Sequence, residues 1–179
     1  SKVMTLILAL MDHGKEGVFQ KVGMEPSDDP FNSIDRLEEN PSKPLNPMIN
    51  AGAIVVTSLI KGKSVDDRLE RIIDLVRKMS GNPDIGIDRA VYRSEAETGD
   101  RNRSLGYFLK SYGLIDDVDS VLDLYFHQCS IALHCSDLAK IGLCLARYGI
   151  NQTGEQIIPR DVARIVKTFM VTCGMYDAS

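Results

Sequence analysis

No basic stripe runs through these 179 residues: the formal net charge is -4, and acidic and basic side chains are scattered rather than blocked. That pattern offers nothing for a nucleic-acid backbone or an anionic membrane surface, and leaves small neutral or zwitterionic partners open. Apolar runs long enough to span a membrane are also missing, as is a cleavable signal with a basic flank and a small-residue site, so a soluble cytoplasmic protein is the default expectation. Alternating strand patterns, repeats and low-complexity tracts are absent as well, which excludes solenoids and all-β architectures. Cysteine is sparse and widely spaced, at 129, 135, 144 and 173. A chain of this size needs no disulfide staple, and the surroundings are apolar or helical, so free, mostly buried thiols are expected. His127, Cys129, His134 and Cys135 lie close together in sequence, but their spacing matches no usual pair of ligand knuckles, and no metal is assigned.

With 44% hydrophobic residues, the chain can bury a substantial core as a single domain spanning 1–179. Val3, Leu6, Ile7, Leu10 and Met11 follow helical spacing, and Gly14 stands where a left-handed cap would end that helix. Lys2 then sits at the positive end of the helix dipole, an unfavourable place for a cation unless it has a function there. Residues 15 to 46, rich in proline, asparagine and aspartate, read as a long irregular connection of the kind that covers a site. Ser64 and Asp67 open a helix carrying Leu69, Ile72, Ile73, Val76 and Met79, closed at Gly81. Further helices are expected from about Asp88 to Glu97, from the Thr98-Gly99-Asp100 break to Gly113, and near 118–127. Two more follow, at 136–148 with Ser136 as cap and Gly149 as stop, and at 159–171 with Pro159 in the first turn. Gly149 to Ile158 reads as a turn-rich loop with room for a short hairpin. The chain as given is mainly helical.

Two segments stand out chemically. Asn46-Pro47-Met48-Ile49-Asn50-Ala51-Gly52-Ala53 sinks asparagines into a small, apolar helix start. Asn46 suits the cap and Pro47 the first helical position, placing Asn50 in the opening turn, where unpartnered N–H groups can receive an anion. An asparagine satisfied inside the core is the plainer alternative. Ser94-Glu95 through Arg101-Asn102 packs charges, hydroxyls and an amide around a helix corner, which is either a solvated surface or part of a pocket. In a pocket, Glu95 would accept hydrogen bonds from an ammonium and Asn102 would donate to a carboxylate. Tyr125 and Tyr176 form a third set. Most tyrosines at helical spacing are core residues, but Tyr176 follows a glycine past a helix end, where a loop can aim a phenol into a cleft.

Four blocks in order, Asn46 to Ala53, Ser94-Glu95 with Arg101-Asn102, Tyr125-Phe126 with Cys129-Ser130, and Cys173-Gly174-Met175-Tyr176-Asp177, resemble the serine-dependent glutaminases of the bacterial type. The resemblance implies hydrolysis of L-glutamine to L-glutamate and ammonia on an α/β serine beta-lactamase-like (DD-peptidase-like) fold, with no cofactor. It implies a Ser-x-x-Lys motif whose lysine is Lys2 and whose serine forms a glutamyl ester. Asn50, Glu95, Asn102 and Tyr125 match substrate-holding positions, and Tyr176 matches a tyrosine engaged in proton transfer. The resemblance also implies a homodimer or homotetramer. On this alignment the nucleophile falls two residues before Ser1, and the strand bearing an oxyanion-hole donor falls after Ser179. The chain is then expected to be a fragment cut at both ends, lacking most of the sheet and inactive alone, since losing a nucleophilic serine costs on the order of a millionfold in turnover. A penicillin-binding or beta-lactamase-type acyl transferase, and a helical interaction module without catalysis, are the competing readings.

Overall fold

The computed structural model describes residues 1–27, 30–33 and 43–174. Eight helices lie among them: α1 (Lys2–Lys21), α2 (Asn50–Ser58), α3 (Val65–Ser80), α4 (Arg89–Thr98), α5 (Asp100–Ser111), α6 (Val118–Cys129), α7 (Cys135–Ala146) and α8 (Arg160–Thr172). Among the described residues, extended pairing is limited to two isolated antiparallel bridges, Ile87 with Ile131 and Ile150 with Gln156. The second is the short hairpin expected between Gly149 and Ile158. The mainly helical expectation holds.

Most boundaries fall where capping chemistry put them. Ser64 accepts from the Asp67 N–H at 3.1 Å, and Gly81 ends α3 in the left-handed region at φ 68°. Asp88 caps α4 by accepting from the Ala90 and Val91 N–H groups. Three expectations need correction. Gly14 does break α1, with φ 68° and ψ 174°, but helix resumes beyond it to Lys21, so residues 15–21 are not irregular. Val18, fully buried, explains the resumption, because this second half also has a core to cover. Asn46 caps a turn rather than the helix: its Oδ1 accepts from the Met48 and Ile49 N–H groups, and α2 begins only at Asn50. At α7 the residue before the helix is His134, not Ser136, and Asp137 Oδ2 accepts from the His134 N–H at 3.0 Å.

Two hydrophobic clusters fill the interior. One gathers α1, α3, α7 and α8 around Leu6, Ile7, Val76, Met79, Ile141 and Phe169. The other packs α2, α5 and α6 through Ile54, Leu105, Leu109, Leu122, Tyr125 and Phe126. Helix α2 serves both, sending Val56 to the first and Ala51, Ala53, Ile54 and Val55 to the second. A helix buried on every side needs no polar face, and Asn50 through Thr57 are all buried. Arg71 and Asp12 join α3 to α1 in a two-pronged ion pair at 2.8 and 2.7 Å.

Close packing at the start of α2 depends on Gly52. A Cβ there would stand 1.9 Å from the Asn46 carbonyl oxygen and 2.8 Å from its carbon, both backbone atoms that cannot rotate away. Gly52→Ala is therefore expected to destabilise the fold by about 2 kcal/mol or more, as overpacking of a rigid contact does. Urea denaturation of the two proteins checks this, and equal midpoints would show that the turn yields freely.

Candidate active site

Lys2 opens α1, and its ammonium reaches across to the start of α2. Nζ donates to the Met48 carbonyl at 2.7 Å and to Asn50 Oδ1 at 2.8 Å. Asn50 Nδ2 in turn donates to Asn102 Oδ1 at 3.0 Å. A hydrogen-bonded line thus crosses from α1 through α2 to α5. Its polarity follows from chemistry: an ammonium has only donors, so it takes the Asn50 oxygen, which leaves the Asn50 nitrogen to meet the Asn102 oxygen. Asn102 is then left with its Nδ2 hydrogens to offer, and among the described residues nothing takes them.

Burial pushes the Lys2 ammonium down from its ordinary 10.5 to about 8, with Cys129 acting the other way. Phe31 lies 5.4 Å from Nζ to ring centroid, and its carbonyl accepts the Asn50 N–H at 2.7 Å. Arg101 Nε donates to the neighbouring Asn32 carbonyl at 2.8 Å. Of the 15–46 connection, Phe31 and Asn32 thus lie against Lys2, Asn50 and Arg101. On the opposite flank, Cys129 at the end of α6 is raised by burial first and by the Glu95 carboxylate second, while Ser1 and Lys2 lower it.

Five of the six sequence-predicted residues are described. Lys2, Asn50 and Asn102 are joined directly, Glu95 lies on α4 with its carboxylate influencing the Cys129 thiol, and Tyr125 is buried with Ala51 and Phe126 in the second cluster. Tyr176 lies outside the described residues. Sequence reasoning did not single out Phe31, the Met48 carbonyl or Cys129 as site groups. Phe31 could have been found as an aromatic inside a Pro- and Asp-rich loop; the Met48 carbonyl carries no side-chain signal at all. A mostly apolar groove of about 610 Å³ between the second half of α1 and α8, lined by Phe19, Met24, Ile165 and Phe169, contains none of these residues. Among the described residues, no group of three or more His, Cys, Asp or Glu side chains could hold a metal ion, and no helix is long and apolar enough to cross a membrane.

A buried lysine with a lowered pKa thus stands at one end of an amide line whose other end, among the described residues, offers unpartnered N–H donors, a polarity suited to an anionic group. The chain belongs to the Glutaminase family, which it matches over residues 1–179. It is 58% identical to a glutaminase of Clostridium botulinum (strain Hall) and 57% identical to one of Alkaliphilus metalliredigens, in each case over all of this chain and 60% of the relative. The crystal structure of a probable glutaminase of Bacillus subtilis superposes with a TM-score of 0.95 at 43% identity, covering 99% of this chain and 57% of that one. The chain thus spans about 60% of the length of the curated relatives it matches.

Because the folded pKa of Lys2 is depressed, the native state holds this proton less tightly than the unfolded chain does. Keeping the ammonium buried is a full penalty below about 8, and the penalty is relieved as pH rises from about 8 towards 10.5. The 13Cε resonance of Lys2 is expected to titrate with a midpoint of about 8. In Asn50→Leu, which removes an acceptor that favours the charged form, the midpoint should move lower still. A midpoint near the ordinary lysine value would mean that the ammonium is not desolvated.

Proposed function

We propose that this chain is the helical part of a glutaminase, a protein that hydrolyses L-glutamine to L-glutamate and ammonia. The observation that carries the reading is the Lys2–Asn50–Asn102 line, with a desolvated amine at one end and amide donors at the other. The names and similarity of the relatives support it.

In this reading a serine three residues before Lys2 attacks the side-chain amide carbon of glutamine. Lys2 in its neutral form takes the serine proton. The tetrahedral adduct collapses to a glutamyl ester as ammonia leaves with a proton, and Tyr176 shares in that transfer. Water then attacks the ester, glutamate departs and the serine regains its proton. Asn102 and Asn50 hold the α-carboxylate, Glu95 holds the α-ammonium, and Tyr125 backs the pocket from the core. No cofactor takes part. The working form is a homodimer or homotetramer in the cytoplasm.

The test is ammonia release from glutamine by the sequence joined to flanking segments like those of its relatives, beside residues 1–179 alone. Release is expected from the first and not from the second, and none from the first would overturn the reading. The rate should rise with pH through about 8, because only neutral Lys2 accepts a proton. Glu95→Gln should raise KM for glutamine roughly ten- to hundredfold, the loss of one charge-assisted hydrogen bond. An unchanged KM would return Glu95 to the solvated surface.

A further inference from the structure

Helix α4 carries Glu95 yet buries none of its residues. Among the described residues, no hydrogen bond or ion pair orients the Glu95 carboxylate either. Its position must therefore come from how α4 as a whole is held: three straps tie it to α6 and the residues just after α6, and a fourth contact ties it to α5. Before its first turn, the Asp88 N–H donates to the Ser130 carbonyl at 2.8 Å, and Ile87 pairs with Ile131. Past its last turn, Gly99 lies against Phe126 so closely that a Cβ would stand 2.5 Å from the ring's Cζ. At mid-span the third strap to α6 is polar, the Tyr92 hydroxyl donating to Asp123 Oδ1 at 2.5 Å, while Arg103 Nη2 of α5 donates to the Ala96 carbonyl at 2.5 Å.

That third strap is built with care for geometry. The Tyr92 ring stacks on His127 at 3.9 Å between centroids, tilted by 26°. His127 Nδ1 is held 2.9 Å from the Asp123 carbonyl oxygen and 3.4 Å from Oδ1, so the three side chains brace one another. The hydrogen bond to Asp123 is the main cause that lifts the Tyr92 phenol to about 12, and it stays protonated as a donor at any working pH. Tyr92 is three residues before Glu95, so the two occupy neighbouring places one helical turn apart.

Resting on the glutaminase reading of Glu95, we propose that Tyr92 is a positioning residue: its hydrogen bond to Asp123 fixes α4 at the rotation that aims Glu95 at the α-ammonium of the substrate. The end straps keep the helix in place without it, so losing the bond should blur the aim of Glu95 rather than unfold the protein.

A double-mutant cycle in the protein with its flanking segments tests this. Tyr92→Phe keeps the stack on His127 and removes only the hydroxyl; it should raise KM for glutamine about tenfold with kcat little changed. In a Glu95→Gln background the same change should raise KM by less than about twofold, because there is no longer an acid to aim. Asp123→Asn, whose amide oxygen still accepts from the phenol, should keep KM close to that of the parent, and Asp123→Ala should reproduce Tyr92→Phe. A lower Tm with KM unmoved, or equal effects of Tyr92→Phe in both backgrounds, would overturn the proposal. A Glu95→Gln protein with unaltered KM would bring down the ammonium pocket itself, a separate failure. Should Tyr92→Phe not fold, Asp123→Ala carries the same comparison.

Discussion

A buried ammonium dictates the arrangement of everything around it. Lys2 can only donate while charged, so the groups that meet it must turn oxygens inward. The Met48 carbonyl does this from the backbone and Asn50 does it with its side chain. Once the Asn50 oxygen is committed, its nitrogen has no choice but to donate, and Asn102 must present an oxygen in reply. The orientation of two side-chain amides is thereby set from one end of the line. What emerges at the far end is a pair of N–H donors, the right polarity for a carboxylate and the wrong one for a cation. Polarity at the Asn102 end is therefore a consequence of the charge at the Lys2 end.

Holding that line in register is the task of the apolar architecture. The starts of α1 and α2 must approach closely enough for a side chain to bridge them, and α2 must then run through the interior between two clusters. Gly52 permits the approach by letting the Asn46 carbonyl lie against the helix where a methyl group would be. Asn46 itself is buried, and each end of its amide is satisfied: Oδ1 takes two backbone N–H groups while Nδ2 donates to the Glu25 carbonyl at 2.8 Å. An unsatisfied amide there would cost about 1–3 kcal/mol, so this turn and the loop that reaches back to Glu25 stabilise each other.

Helix positions were legible in the sequence because caps and stops act locally. Ser64, Gly81, Asp88, Gly113 and Gly149 each do in the structure what their neighbours in sequence imply. Where the reading failed, a tertiary term had overridden a local one. Gly14 is a true break, yet the chain re-enters a helix because Val18 and Phe19 have the first cluster to pack against. Asn46-Pro47 has the form of a helix start, but the start was displaced to Asn50 by a turn that serves the Gly52 contact. The candidate site was visible as residue types in four blocks, and three of those residues are directly bonded. Its backbone participants were not visible. Nothing in the identity of Met48 or Asn32 announces that its carbonyl will be used, and the aromatic Phe31 declares itself only once the loop is seen to fold over Lys2.

Proton transfer makes a further demand on such a site, because a group that gains and loses a proton must not dismantle its surroundings each time. The Met48 and Asn50 atoms that accept from Lys2 are both uncharged oxygens. A neutral amine retains two hydrogens, enough to keep donating to these two oxygens. The Met48 and Asn50 bonds can therefore persist through either charge state, and the orientation passed on to Asn102 persists with them. Had either partner been a carboxylate, ionic attraction would have pinned the proton and held the pKa high. With these two acceptors uncharged, burial is the largest influence and brings the amine down to about 8. Neutral acceptors thus reconcile two requirements that otherwise conflict: a lysine held firmly in place, and a lysine willing to part with its proton near physiological pH.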